Sequence, residues 1–229
     1  MSVREDKKSA IVLLRKWNTI MKLYTFPPAP NPKRLSIFIA EKGIDLETIT
    51  VDLMSGEHRK EPFLTINPLG TVPALVLADG TVMSEVIGIL SYLEELYPQV
   101  PLLGTDPLSR AEILGWDHRC FVEGIVGVAE ALRNSSEAFV GRALSGPVSY
   151  EQIPELVDRG HKRIQAFYHV LDKHLDGCEF MVGDTFTVAD IAAYVFVSFS
   201  GWVKETIPEE CVHLAAWHHQ ISVRPSVQS

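Results

Sequence analysis

Up to about residue 98 the apolar residues alternate between strand-like and helix-like spacing; from residue 106 onward only the helical spacing remains. Such a chain cannot be one continuous sheet or one continuous bundle. It calls for an α/β layer followed by an all-helical body. Residues 21–26 read as a short strand, broken by Pro27, Pro28, Pro30 and Pro32. Residues 33–42 place Leu35, Ile37, Phe38 and Ile39 on a helical pattern that Gly43 stops. Residues 46–53 (LETITVDL) alternate as a second strand. Strand, helix and strand within about 30 residues make a βαβ unit with parallel strands.

A polar stretch over residues 55–61 leads to a third strand, 73–78 (PALVLA). Asp79-Gly80 is a strong hairpin signal before residues 81–83. Residues 85–96 then show helical spacing through Ile89, Leu90, Leu93 and Leu96. Beyond a linker with Pro101, Gly104 and Pro107, Asp106-Pro107 reads as a capped helix start, and the helix is expected to reach about residue 134. Residues 151–175 and 209–222 read as further helices. Thr187 and Asp190 form a capping box that opens another at 191–199. The division expected is 21–103 for the α/β domain and 106–229 for the helical domain, with no strand in the second. Residues 1–20 are expected to be an extension outside the fold, with a short amphipathic helix and an upstream-shifted start codon as the open alternatives.

Charge narrows the function. Lys and Arg total 21 against 29 Asp and Glu, a net charge of −8, so a nucleic-acid partner is not expected. The apolar run at residues 10–14 is too short for a secretory signal, and no run reaches the length of a membrane span. Cys120, Cys178 and Cys211 are odd in number, with no CxxC and no His at ligand spacing. They read as reduced thiols in a cytoplasmic protein without a metal.

The residues LYTFPPAPNPKRLSIFIAEKGI, VDLxxGEHR, INPLGTVPAL, SEVIGILSYLEELYP and FTVADIAAY resemble the cytosolic glutathione transferases. The similarity covers all but the first 20 residues. It implies a thioredoxin-like glutathione-binding domain followed by an all-helical domain, and a cis Val72–Pro73 bond. It also implies that glutathione pairs with the backbone of Val72, next to Pro73. Glu85 would meet the γ-glutamyl amine, and the first turn of the helix it opens would hold the γ-glutamyl carboxylate. Val86 departs from the family's Ser or Thr, at a cost of about 1–3 kcal/mol for the lost hydroxyl. His58 and Arg59, with Lys60 behind them, would face the glycyl end. Without the resemblance these residues read as a first-turn acid and a solvated loop.

Ionising a thiol of ordinary pKa at neutral pH requires a drop of about 2 units, roughly 2.7 kcal/mol. The family's Ser position is Ala29 here and its Cys position is Pro32, while Tyr24 is one register too early. PAPNPKR is similar to the T-P-N-G-x-K motif of bacterial Nu-class and fungal prion-related transferases, whose Asn contacts the sulfur. The resemblance therefore implies Asn31 as the thiolate donor, with Thr25 second. Taken alone, Asn31 reads as a helix N-cap with Pro32 at the first helical position. The electrophile would lie between Pro28 and the first long helix of the second domain, with Trp116, Cys120 and Phe121 as candidates. The implied protein is a homodimer that conjugates glutathione to a small hydrophobic electrophile. Glutathione-dependent disulfide reduction, peroxidase activity and a non-catalytic binding module are the alternatives.

Overall fold

The computed structural model describes residues 21–228, so the expected extension over 1–20 lies outside the described residues. The α/β part runs β1 (Lys22–Thr25), α1 (Pro30–Lys42), β2 (Glu47–Thr50), α2 (Phe63–Ile66), β3 (Ala74–Val76), β4 (Val82–Met83) and α3 (Val86–Leu96). The sheet order is β2-β1-β3-β4. β1 and β2 are parallel, with Thr25 opposite Thr50, as the βαβ pattern requires. β3 runs antiparallel to β1 and to β4. The Asp79-Gly80 turn closes the β3–β4 hairpin with Gly80 at φ 85°, and Leu77 N–H donates to the Thr81 carbonyl at 2.9 Å.

α1 begins three residues earlier than the sequence pattern predicts. Ala29 is its N-cap, not Asn31, and Pro30 and Pro32 both lie inside the first turn. First-turn N–H groups have no intrahelical partner, so prolines there cost the helix nothing. Gly43 ends it in the left-handed conformation, φ 61°. β2 is shorter than expected because Asp52 turns the chain, its carboxylate accepting from the N–H groups of Met54 and Ser55. Leu35, Ile37 and Phe38 of α1 and Ile89, Leu90 and Leu93 of α3 are almost fully buried, each contributing about 1.5–3 kcal/mol of apolar burial.

The helical part comprises α4 (Pro107–Arg119), a π-helical turn (Cys120–Ile125), α5 (Val126–Ser135), α6 (Glu155–His174), α7 (Val188–Ser200), α8 (Val212–Ser222) and α9 (Pro225–Gln228). Asp106 caps α4 by accepting from the N–H groups of Leu108 and Ser109. The long helix expected to about residue 134 is thus two α-helices separated by the π turn. Within that turn Gly124 lies against Phe196 of α7, so close that a Cβ would fall 2.7 Å from the ring. α6 starts at Glu155 because Pro154 disfavours helix in the residue before it. An isolated bridge between Arg142 and Tyr150 closes the α5–α6 connection, an extended pairing the sequence pattern did not show.

α7 is the axis of the core. Phe196 packs its ring 5.3 Å from Phe167 and 5.2 Å from Tyr168, both on α6. The Thr187–Asp190 box opens α7, and the Asp190 carboxylate also accepts from Met181 N–H at 2.8 Å. α5 and α6 cross at Gly160, where a Cβ would lie 2.7 Å from the Ala131 nitrogen.

Ion pairs join the two halves at Glu41–Arg224, at the exposed Glu95–Arg110 and, almost fully buried, at Arg34–Asp117. Arg34 of α1 and Asp117 of α4 are each 4% exposed, and Arg34 Nη2 donates to Asp117 Oδ1 at 2.5 Å. Asp117→Ala leaves the guanidinium buried without its counter-charge and is expected to cost about 3–5 kcal/mol. The double variant Arg34→Met/Asp117→Leu is expected to recover most of that loss. Denaturant midpoints of the three variants check this, and a double variant no more stable than Asp117→Ala would refute it.

Candidate functional site

The sheet topology gathers four loops at one edge. β1 and β2 end there, β3 starts there and β4 ends there, because β1 and β2 are parallel and β3 reverses direction. Those loops face α5, the π turn and the α5–α6 connection across a cavity of about 550 Å³. Asn31, His58, Arg59, Val72 and Glu85 line it from the sheet side, with Ala29, Met54 and Ser84 between them. Phe121, Ile125, Arg133, Phe139, Arg142, Phe199 and Trp202 line it from the helical side.

Val72 precedes a cis Pro73, and among the described residues neither its N–H nor its C=O carries a hydrogen bond. A peptide unit left open on a cavity wall is a ready partner for an extended ligand backbone. Asn67 fixes the approach, its Nδ2 donating to the Thr71 carbonyl at 2.8 Å. Gly70, at φ 59°, lets the chain pass beside His58, whose carbonyl oxygen a Cβ there would meet at 2.9 Å.

At the start of α1, Pro30 and Pro32 have no N–H, and the Ala29 N–H already donates to the Phe26 carbonyl. Asn31 is therefore the sole residue of positions 30–32 with a backbone donor. Its side chain is oriented by Arg34, whose Nη1 donates to Asn31 Oδ1 at 3.2 Å. A guanidinium can only donate, so the amide presents its oxygen to Arg34 and keeps its NH2 for the cavity. Glu85 is the N-cap of α3 and makes no side-chain cap bond there.

His58 sits on a 3-10 turn (Glu57–Arg59), with Nδ1 buried and without a hydrogen-bond partner among the described residues. Burial lowers its pKa first, and the positive charges of Arg142, Arg59 and Arg133 lower it further. Arg133 and Arg142 were not singled out from the sequence. A lone arginine in a helical or loop stretch ordinarily reads as a solvated charge, and only the fold brings these two opposite His58.

Several expected positions lie elsewhere. Pro28 is exposed and off the cavity wall. Trp116 lines a separate cavity of about 560 Å³, its ring centroid 3.9 Å from that of His174 and tilted against it. Cys120 is fully buried, and burial pushes its thiol up, so it neither contacts a ligand nor ionises. Thr25 is 6% exposed and does not line the cavity. Pro73 and Val86 are buried behind the wall that Val72 and Glu85 form. Of the helical-side candidates, Phe121 reaches the cavity. Among the described residues, no cluster of three or more His, Cys, Asp or Glu side chains could hold a metal ion, and no helix is long and apolar enough to cross a membrane.

Comparisons with known proteins place this two-part fold. Residues 29–96 match the family model for the glutathione S-transferase N-terminal domain, and 157–229 that for the C-terminal domain. Glutathione S-transferase 2 of Saccharomyces cerevisiae is 32% identical over 210 residues, covering 91% of this chain and 88% of that protein. The crystal structure of a glutathione S-transferase domain-containing protein of Marinobacter aquaeolei VT8 superposes with a TM-score of 0.82 at 33% identity, covering 90% of this chain and 99% of the other. Gtt2 of Saccharomyces cerevisiae superposes with a TM-score of 0.81 at 32% identity, over 90% and 98% of the two chains. The chain belongs to the glutathione S-transferase family.

The lowered pKa of His58 makes stability depend on pH. The folded protein binds fewer protons at this ring than the unfolded chain, so the stabilisation is present above the ordinary value of 6.5 and is lost as pH falls through the lowered one. His58→Gln is expected to flatten part of the fall in unfolding midpoint between about pH 7 and about pH 5. Thermal melts at the two pH values test it; an identical fall in the variant would remove His58 as its source.

Proposed function

We propose that this chain is a glutathione transferase of the asparagine type, in which Asn31 replaces the family's Tyr, Ser or Cys. The observation that carries the reading is the convergence, on one cavity, of an open Val72 peptide, Glu85 at a helix start and the NH2 of an Asn31 amide held through its oxygen. Glutathione lies antiparallel to Val72, its γ-glutamyl amine toward Glu85. Its γ-glutamyl carboxylate sits at the first turn of α3, where the N–H groups remain although Val86 supplies no hydroxyl. The glycyl end faces His58 and Arg59. The Asn31 NH2 donates to the sulfur, and the N-terminus of α1 adds its positive potential.

Conjugation follows from that placement. The thiol proton passes to solvent, the thiolate attacks an electrophilic carbon, a C–S bond forms and the leaving group departs with its electron pair. Asn31 favours the thiolate over the thiol, lowering the energy of the attacking species. The helical-side aromatics supply the wall for the acceptor. Thr25, buried and off the cavity wall, acts at most on the position of the loop. The same reading takes residues 21–103 and 106–229 as the two domains, a homodimer as the assembly and the cytoplasm as the compartment.

Calorimetric titration with reduced glutathione tests the pocket, and a parallel titration with the disulfide form tests the reductase alternative. Clearly tighter binding of the disulfide would favour reduction over conjugation, and no heat with either would leave a non-catalytic module. Asn31→Ala is expected to lower turnover about 10- to 100-fold, the worth of a hydrogen bond to a charged acceptor, while the glutathione Kd stays within about twofold. Unchanged turnover would remove Asn31 from the chemistry.

A further inference from the structure

The helical side of the cavity carries two cations that the glutathione contacts above do not use. Arg133 lies near the end of α5, and Arg142 follows the 3-10 turn Glu137–Phe139. Phe139 stands between them, its ring centroid 4.6 Å from Arg133 Cζ and 5.8 Å from Arg142 Cζ. Among the described residues neither guanidinium has a carboxylate partner. The acid nearest in sequence on the cavity wall, Glu130, is held by Arg159 and Arg163 instead. Burial lowers the pKa of Arg133, and the charge of Arg142 lowers it further, so the two cations repel each other.

The pair is held in place before any ligand arrives. Arg133 Nη1 donates to the Arg142 carbonyl at 2.7 Å, and Arg142 Nη2 donates to the Ala138 carbonyl. Gln152 Nε2 donates to the carbonyls of Arg133 and Ser136 at 2.7 and 2.8 Å, and Ile153 N–H donates to Asn134 Oδ1 at 2.8 Å. Each guanidinium has five N–H donors, so most remain for a ligand. Phe121, Phe199 and Trp202 continue the same wall with aromatic surface.

We propose that Arg133 and Arg142 clamp the carboxylate of an aromatic acid, making the acceptor an anionic aromatic electrophile rather than a neutral one. The inference rests on the transferase reading for the word acceptor, but the clamp itself is independent of glutathione. A carboxylate matches the planar fork of a guanidinium. Because Glu85 and Glu130 share the cavity, a singly charged anion meets less repulsion than a phosphate dianion. The glycyl carboxylate of glutathione is the other source of the same group. It faces His58 and Arg59 across the cavity, whereas the clamp adjoins the aromatic wall.

Calorimetry on the protein without glutathione, using dinitrobenzoate and the isosteric neutral dinitrobenzamide, tests this. The unaltered chain is expected to bind the benzoate at least about tenfold more tightly than the benzamide. Arg142→Gln is expected to erase that preference and leave benzamide binding intact, which also reports an undamaged cavity; Arg142→Lys keeps part of it. Equal binding of both probes by the unaltered chain would overturn the clamp, as would a preference that survives Arg142→Gln. So would a loss confined to glutathione binding in that variant, which would assign the arginines to the glycyl carboxylate. A benzoate preference in a chain that fails to bind glutathione would support the clamp and overturn the transferase reading.

Discussion

The buried ion pair of Arg34 and Asp117 holds together more than its size suggests. Asp117 sits on the first long helix of the helical part, Arg34 one turn into the first helix of the α/β part, and the same guanidinium turns the amide of Asn31. A buried ion pair is seldom worth more than an apolar pair of equal volume, so its contribution is geometric rather than cohesive. It fixes the relative placement of the two walls of the cavity and, through a donor that cannot accept, the direction in which Asn31 offers its NH2. Without this pair the cavity would still be lined by the same residues, but the Asn31 amide would be free to rotate.

Most of the fold was legible in the sequence because it follows from period and punctuation. The shift from mixed to helical spacing, Asp79-Gly80, Asp106-Pro107 and the Thr187–Asp190 box each act locally and left unambiguous marks. The start of α1 was not legible, since prolines mark a break unless they fall in a first turn, and sequence alone does not say which. Of the cavity, the sheet side was legible because the family's motifs lie on the loops that the sheet gathers. The helical side was not. Trp116 and Phe121 lie five residues apart, about 140° around a helix, so they cannot share a wall, and the spacing alone does not say that Phe121 is the one facing the cavity.

Val86 illustrates how a departure from a family pattern can be mild. Its side chain is 4% exposed and packs in the core behind Glu85, so it removes a hydroxyl without filling the cavity. The donors that remain at the start of α3 belong to the backbone, which a side-chain substitution cannot withdraw. The cations on the opposite wall change the character of the cavity more than this missing hydroxyl does, because they give a largely apolar recess a charged end.

The π turn also sets the phase of everything after it. It accommodates one more residue than an α-helical turn would, and each residue of an α-helix advances the side-chain direction by about 100°. A chain one residue shorter over this stretch would present α5 rotated by that angle, carrying Arg133 off the cavity and a neighbouring face onto it. The length of a six-residue segment thus acts as a selector of wall chemistry. A single insertion or deletion there would exchange the side chains of the helical wall without touching the sheet side of the cavity.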